Sequence, residues 1–151
     1  MKCWQLNIAS FPLRGSEFIQ AAEEHEVDII LLQETRLTSQ EAEIAGCHTR
    51  GWDFHHMESC KHSSNRHEGG VGVLVRKSIP SVRVQGRACE GGQTIRVALP
   101  GMHITSLYRR PGISDAALRE FDQQTATDMA SVGMTTPSLL AGDFNTLPTQ
   151  D

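Results

Sequence analysis

No run of apolar residues in this 151-residue chain approaches the ~18 that cross a bilayer. The opening stretch, Met1-Lys2-Cys3-Trp4-Gln5-Leu6-Asn7, is broken by polar side chains too early for a secretory leader. The four cysteines, at positions 3, 47, 60 and 89, form no Cys-x-x-Cys pair. Without a leader they read as free thiols of a reducing compartment. The expectation is an intracellular protein, nuclear or cytoplasmic, and not a secreted one. No internal repeat, low-complexity tract or linker divides the chain, so it offers no domain boundary. What remains is the composition of a soluble globular protein, 38% hydrophobic and 21% charged.

The net charge of -4 hides an uneven distribution. Residues 1–49 carry 3 basic and 8 acidic groups, residues 50–110 carry 10 and 4, and residues 111–151 carry 1 and 6. A basic middle between acidic ends could hold a polyanion beside carboxylates that hold cations. Charge alone favours the plainer reading, in which surface arginines only solubilise strands.

Residues 3–9 alternate as a half-buried strand. A helix capped by Ser16 follows to about Glu26, with Phe18, Ile19 and Ala22 on one face. Val27 to Leu32 reads as a fully buried strand. Residues 35–69 read as largely irregular, with a strand around Trp52 to Met57. Strands over 70–75, 82–85, 94–99 and 103–108 are separated by Pro80, Gly91-Gly92 and Pro100-Gly101. Ser114 caps a second helix over about 115–130, and Ser138 to Ala141 forms the last strand. Two helices and about seven strands make a layered α/β chain rather than a βαβ repeat.

Two of the apolar runs end in acids. Ile29-Ile30-Leu31-Leu32 leads into Gln33-Glu34, and Leu139-Leu140-Ala141 leads into Gly142-Asp143-Phe144-Asn145. Buried strands that end in carboxylates can bring those carboxylates together, and paired carboxylates bind hard divalent cations. Metal-assisted phosphate-ester chemistry is the leading reading.

The order of five segments then resembles the endonuclease/exonuclease/phosphatase superfamily, with its deoxyribonuclease-I-like fold. They are Leu6-Asn7-Ile8, Leu31-Leu32-Gln33-Glu34-Thr35, Gly69-Gly70-Val71-Gly72-Val73-Leu74-Val75, Leu107-Tyr108-Arg109-Arg110-Pro111 and Leu140-Ala141-Gly142-Asp143-Phe144-Asn145. The wording is most similar to the retrotransposon and abasic-site endonuclease branches. The resemblance spans residues 2–147 and implies a two-layer β-sandwich flanked by helices, incomplete at the C-terminal end. On that reading 1–151 is the N-terminal portion of one such domain. The family's later part supplies a further aspartate and a terminal Asp-His pair, which have no match here. Ala9 also departs from the abasic endonucleases, which often carry a metal-binding Asp there; retrotransposon endonucleases often lack it.

The resemblance assigns roles residue by residue. Glu34 is the metal ligand, for Mg²⁺ with Mn²⁺ as the alternative. Asp143 orients the attacking water, and Asn145 and Tyr108 contact the phosphate. Asn7 supports Glu34 and the phosphate. Apart from the resemblance, Arg109 and Arg110 offer contacts to nucleic-acid phosphates, although exposed arginines need no such function. The implied partner is nucleic acid, DNA first, with no membrane, and a reverse transcriptase region in a longer protein. The expected function is a metal-dependent phosphodiester hydrolase of retrotransposon endonuclease type, present as a fragment lacking the C-terminal catalytic Asp and His and inactive by itself. The alternatives are a non-catalytic remnant and a phosphatase acting on inositol or lipid phosphates. The Cys- and His-rich stretch from Cys47 to His67 matches no standard zinc spacing and reads as a variable surface loop.

Overall fold

In the computed structural model, which describes residues 1–61 and 67–145, two four-stranded sheets face each other between helices. The elements run β1 (Cys3–Asn7), α1 (Phe11–Glu24), β2 (Ile29–Gln33), α2 (Ser39–His48), β3 (Trp52–Met57), β4 (Cys60–Lys61) and β5 (His67–Glu68). They continue with β6 (Val71–Arg76), β7 (Val82–Cys89), β8 (Gly92–Leu99), β9 (Met102–Arg109), α3 (Asp115–Ala130) and β10 (Ser138–Asp143). The first sheet has the order β1-β2-β6-β3 and the second β10-β9-β8-β7. This is the expected two-layer α/β sandwich.

The strand period explains the layers. Ile30, Leu32 and Leu74 point to one side of the first sheet and join Phe11, Ala22 and Leu37 under α1 and α2. Ile29, Leu31, Val71, Val73 and Val75 point to the other side and meet Ile95, Val97 and Ile104 of the second sheet. β2 is therefore buried along its whole length, as its unbroken apolar run demands. The outer face of the second sheet is covered by α3, whose Phe121 is fully buried.

Three local expectations are corrected. The first helix opens at Phe11 and not at Ser16; proline stands in its first turn, where its missing N–H costs nothing, and Phe11 N donates to Thr35 O at 2.9 Å. Residues 39–48 are helical rather than irregular. Thr38 and Glu41 form a reciprocal capping box, which compensates for a weakly amphipathic sequence. The second sheet's strands are longer, over 82–89 and 92–99, because the β7–β8 pairing closes around Glu90-Gly91. Of the 47–67 stretch, residues 62–66 and the side chains of Cys47, His48 and Lys61 lie outside the described residues. Cys3, Cys60 and Cys89 are free thiols, and burial pushes Cys3 up to about 11.

Candidate active site

Each four-stranded sheet contains one parallel pair, β1 with β2 and β10 with β9. Parallel pairing brings the C-terminal ends of partner strands to the same rim, and the two pairs meet there. β1 ends at Asn7, β2 runs into Glu34, β9 ends in Tyr108 and Arg109, and β10 ends at Asp143.

Asn7 ties this rim together. Its Nδ2 donates to Glu34 Oε1 at 3.1 Å and to Asp143 Oδ2 at 2.7 Å. The two carboxylate oxygens can be no farther apart than those two bonds laid end to end. Asn7 Oδ1 accepts from Ala9 N at 3.0 Å, which fixes the amide with its NH₂ toward the acids. Asp143 Oδ1 accepts from Asn145 N at 3.1 Å, and Asn145 Nδ2 donates to Arg109 O at 2.8 Å. Oδ1 is thus spent on the local turn, and Oδ2 faces the cluster.

Among the described residues, five non-glycine residues have φ in the left-handed region, and four lie on this rim: Ala9 (58°), Glu34 (52°), Arg36 (55°) and Asn145 (40°). Each costs on the order of 1 kcal/mol and persists only where surroundings enforce it. The enforcing bonds are visible for the Glu34 turn. Thr35 N and Arg36 N donate to Gly70 O and Gly69 O at 3.1 and 3.0 Å. Thr35 Oγ1 shares a 2.7 Å hydrogen bond with His56 Nε2. A Cβ on Gly70 would lie 2.3 Å from Thr35 Oγ1, so only glycine lets this turn close down.

The sole tyrosine, Tyr108, is buried with its ring in the inter-sheet core. Burial holds its phenol well above the ordinary range, and the charge of Glu34 and a hydrogen bond to it push the same way. The hydroxyl therefore keeps its proton and can donate. Beneath the rim, Gln33 Nε2 donates to Ser106 Oγ at 2.9 Å, and Ser106 Oγ donates to Leu32 O at 2.9 Å. This fully buried link ties the two sheets below the acids.

Asn7, Glu34, Tyr108, Asp143 and Asn145 are thus brought to one rim. Arg109 is not placed with them through its side chain. The strand pleat turns it toward α3, where its guanidinium meets Asp122 at 3.2 Å; only its carbonyl serves the site. Three other arginines of the basic middle are also engaged. Arg87 pairs with Asp128 at 2.6 and 2.8 Å, Arg96 donates to Asp128 O, and Arg76 lies 4.3 Å from the Trp52 ring centre. The residue that sequence reasoning passed over is Arg36, whose Nη2 lies 3.3 Å from Glu34 Oε2. Its signal was its place two residues after Glu34.

The donor set suits a hard cation. The carboxylate of Glu34 supplies hard oxygen ligands, and Mg²⁺ asks for only one or two protein carboxylates while keeping waters. Among the described residues no group of three or more His, Cys, Asp or Glu side chains is placed to hold a metal ion. Glu34 would hold the cation, which would polarise a phosphate ester, and Asp143 beside it would be left to position water.

No curated protein matches the sequence. An AP endonuclease from Archaeoglobus fulgidus superposes with a TM-score of 0.71 at 19% identity, over 98% of this chain and 58% of that one. A 3' phosphatase, NExo, from Neisseria, bound to product DNA hairpin, gives 0.66 at 21% identity, over 98% and 58%. The endonuclease domain of TRAS1, a telomere-specific non-LTR retrotransposon, gives 0.63 at 15% identity, over 96% and 59%. The chain spans less than two thirds of the length of these structures. At such identities the superpositions speak for the fold. The sequence profile of the Endonuclease/Exonuclease/phosphatase family matches residues 4–151, so this chain belongs to that family.

Proposed function

We propose that this chain carries the first part of the catalytic site of a metal-dependent phosphodiester hydrolase acting on nucleic acid, DNA first. One observation carries the reading: a single amide, Asn7, donates to two carboxylates delivered by different sheets. Structural proteins have little use for two acids gathered at an open rim.

In this reading Glu34 holds Mg²⁺ or Mn²⁺, and the cation supplies Lewis acidity toward the phosphate. Asp143 Oδ2 positions the attacking water and accepts its proton. Tyr108 donates its hydroxyl to a phosphate oxygen, and Asn145 donates its amide to a phosphate oxygen as negative charge builds there. Asn7 orients both acids. Ala9 at the first strand's end and the wording around Glu34 favour the retrotransposon branch, with a reverse transcriptase region as a partner in a longer protein. An intracellular setting, nuclear or cytoplasmic, suits that role.

The 151-residue polypeptide alone is expected to turn over poorly. In the family resemblance an imidazole and further aspartates act opposite the metal, and losing one such group typically costs on the order of 10²–10⁴ in rate. The test is nicking of supercoiled and abasic DNA in Mg²⁺. The polypeptide is compared with a chimera joining it to the remaining segment of the archaeal AP endonuclease. Nicking by the chimera that a Glu34→Ala, Asp143→Ala double variant abolishes supports the reading. A soluble, folded chimera that binds DNA and never cuts it favours the non-catalytic remnant.

A further inference from the structure

We propose that Arg36 is the resident counter-ion of Glu34, holding the second carboxylate oxygen until a divalent cation takes it, and so setting the affinity of the site for that cation. The inference rests on the reading of Glu34 as a metal ligand. Its geometric basis is a division of the carboxylate between two partners. Oε1 receives Asn7 at 3.1 Å, and Oε2 receives Arg36 at 3.3 Å.

Arg36 differs from the arginines around it. Arg87 and Arg109 face acids on α3, away from the rim. Among the described residues, the one acid within ion-pair distance of Arg36 is Glu34. The backbone of Arg36 is held in the left-handed region at φ 55° by its N–H bond to Gly69 O at 3.0 Å. That conformation aims the side chain back across the turn at a residue only two positions away. The side chain itself is 48% exposed against 20% for Glu34. The main chain is therefore fixed while the guanidinium is free to swing into water.

The energetics suit displacement. A half-exposed ion pair is weak, and a dication at the same carboxylate attracts it twice as strongly as one guanidinium does. The arginine opposes the incoming cation in two ways: it must give up its own contact, and its charge repels the ion. Yet it also offsets the mutual repulsion of Glu34 and Asp143 while no cation is bound. The site is thereby kept assembled at the expense of affinity.

The experiment is titration of the 151-residue chain with Mn²⁺ alone, read by electron paramagnetic resonance of free Mn²⁺ and by calorimetry. It compares wild type, Arg36→Gln, Arg36→Lys and Glu34→Gln. Arg36→Gln is expected to bind Mn²⁺ about three- to tenfold more tightly, and Arg36→Lys to stay near wild type. The gain should shrink as ionic strength rises, because the pair is half exposed. A rise is diagnostic, since a variant that only damaged the turn would lose affinity. Equal or weaker binding by Arg36→Gln, with wild type binding and Glu34→Gln failing to bind, overturns the counter-ion role and leaves the metal reading standing. No binding by wild type or Arg36→Gln, or undiminished binding by Glu34→Gln, overturns both.

Discussion

Asn7 and Asp143 stand 136 positions apart in the chain and share a 2.7 Å hydrogen bond. Each lies at the end of a strand in a different sheet, so this bond joins the two layers at their rim. The same amide reaches Glu34, which makes Asn7 the common donor of two groups that would otherwise repel. Substitution to Asp would replace a donor with a third carboxylate. Asn7→Asp is expected to lower stability by about 1–2 kcal/mol in chelator, and Mg²⁺ should return more of its Tm than it adds to wild type. Thermal melts with and without Mg²⁺ check this; an unchanged Tm in chelator would count against the bridging role.

Gly142 is expected to be irreplaceable for a packing reason. A Cβ there would sit 1.9 Å from Leu107 O, a backbone atom that cannot rotate away. Gly142→Ala should cost about 2–4 kcal/mol and push Asp143 off Asn7. Gly101→Ala is the control. It meets nothing within 4 Å but has φ 76°, so it reports backbone strain alone, about 1 kcal/mol. Chemical denaturation of the two variants separates the effects, and equal losses would refute the clash.

His56 makes a pH prediction. Burial pushes its imidazole down to about 4, with Arg83 acting in the same direction and Glu58 opposing. The folded state thus holds His56 neutral where the unfolded chain would already bind a proton. Its contribution is complete above about 6.5 and is lost as pH falls toward 4, on the order of 3 kcal/mol in all. Melts across this window should show the slope for wild type and a flatter one for His56→Gln, whose amide can still reach Thr35. Identical slopes would show that His56 is not the group that titrates.

Tyr108 can be followed directly, because it is the only tyrosine. Its absorbance near 295 nm should titrate at higher pH in the folded chain than in urea, since burial and Glu34 both disfavour the phenolate. Coincident titrations would remove the proposed closeness to Glu34. In the nicking chimera, Tyr108→Phe should lower kcat about tenfold or more while leaving the melt within about 1 kcal/mol.

Much of this molecule was legible in one dimension. The apolar run at 29–32 announced a strand covered on both faces, and the acids following it and following Leu140 announced the rim. The Thr38 to Glu41 capping signal was also present in the letters, although the helix it starts has too weak an apolar face to be noticed by periodicity. Arg109 shows the opposite case. Its basic neighbourhood suggested a phosphate contact, but the direction of a strand residue depends on register, and one step along the pleat turned it to Asp122.

The sequence by itself determined the local grammar: which segments pair as strands, where acids follow buried runs, and which glycines permit tight approach. That information is short-ranged, carried by side-chain period and backbone sterics. Only the tertiary structure decided that β1 and β10 would end side by side, that Asn7 would serve both acids, and that Arg36 rather than Arg109 would supply the cation at the rim. Those outcomes depend on the packing of two sheets whose parts are over a hundred residues apart, and no local pattern encodes the distance between them.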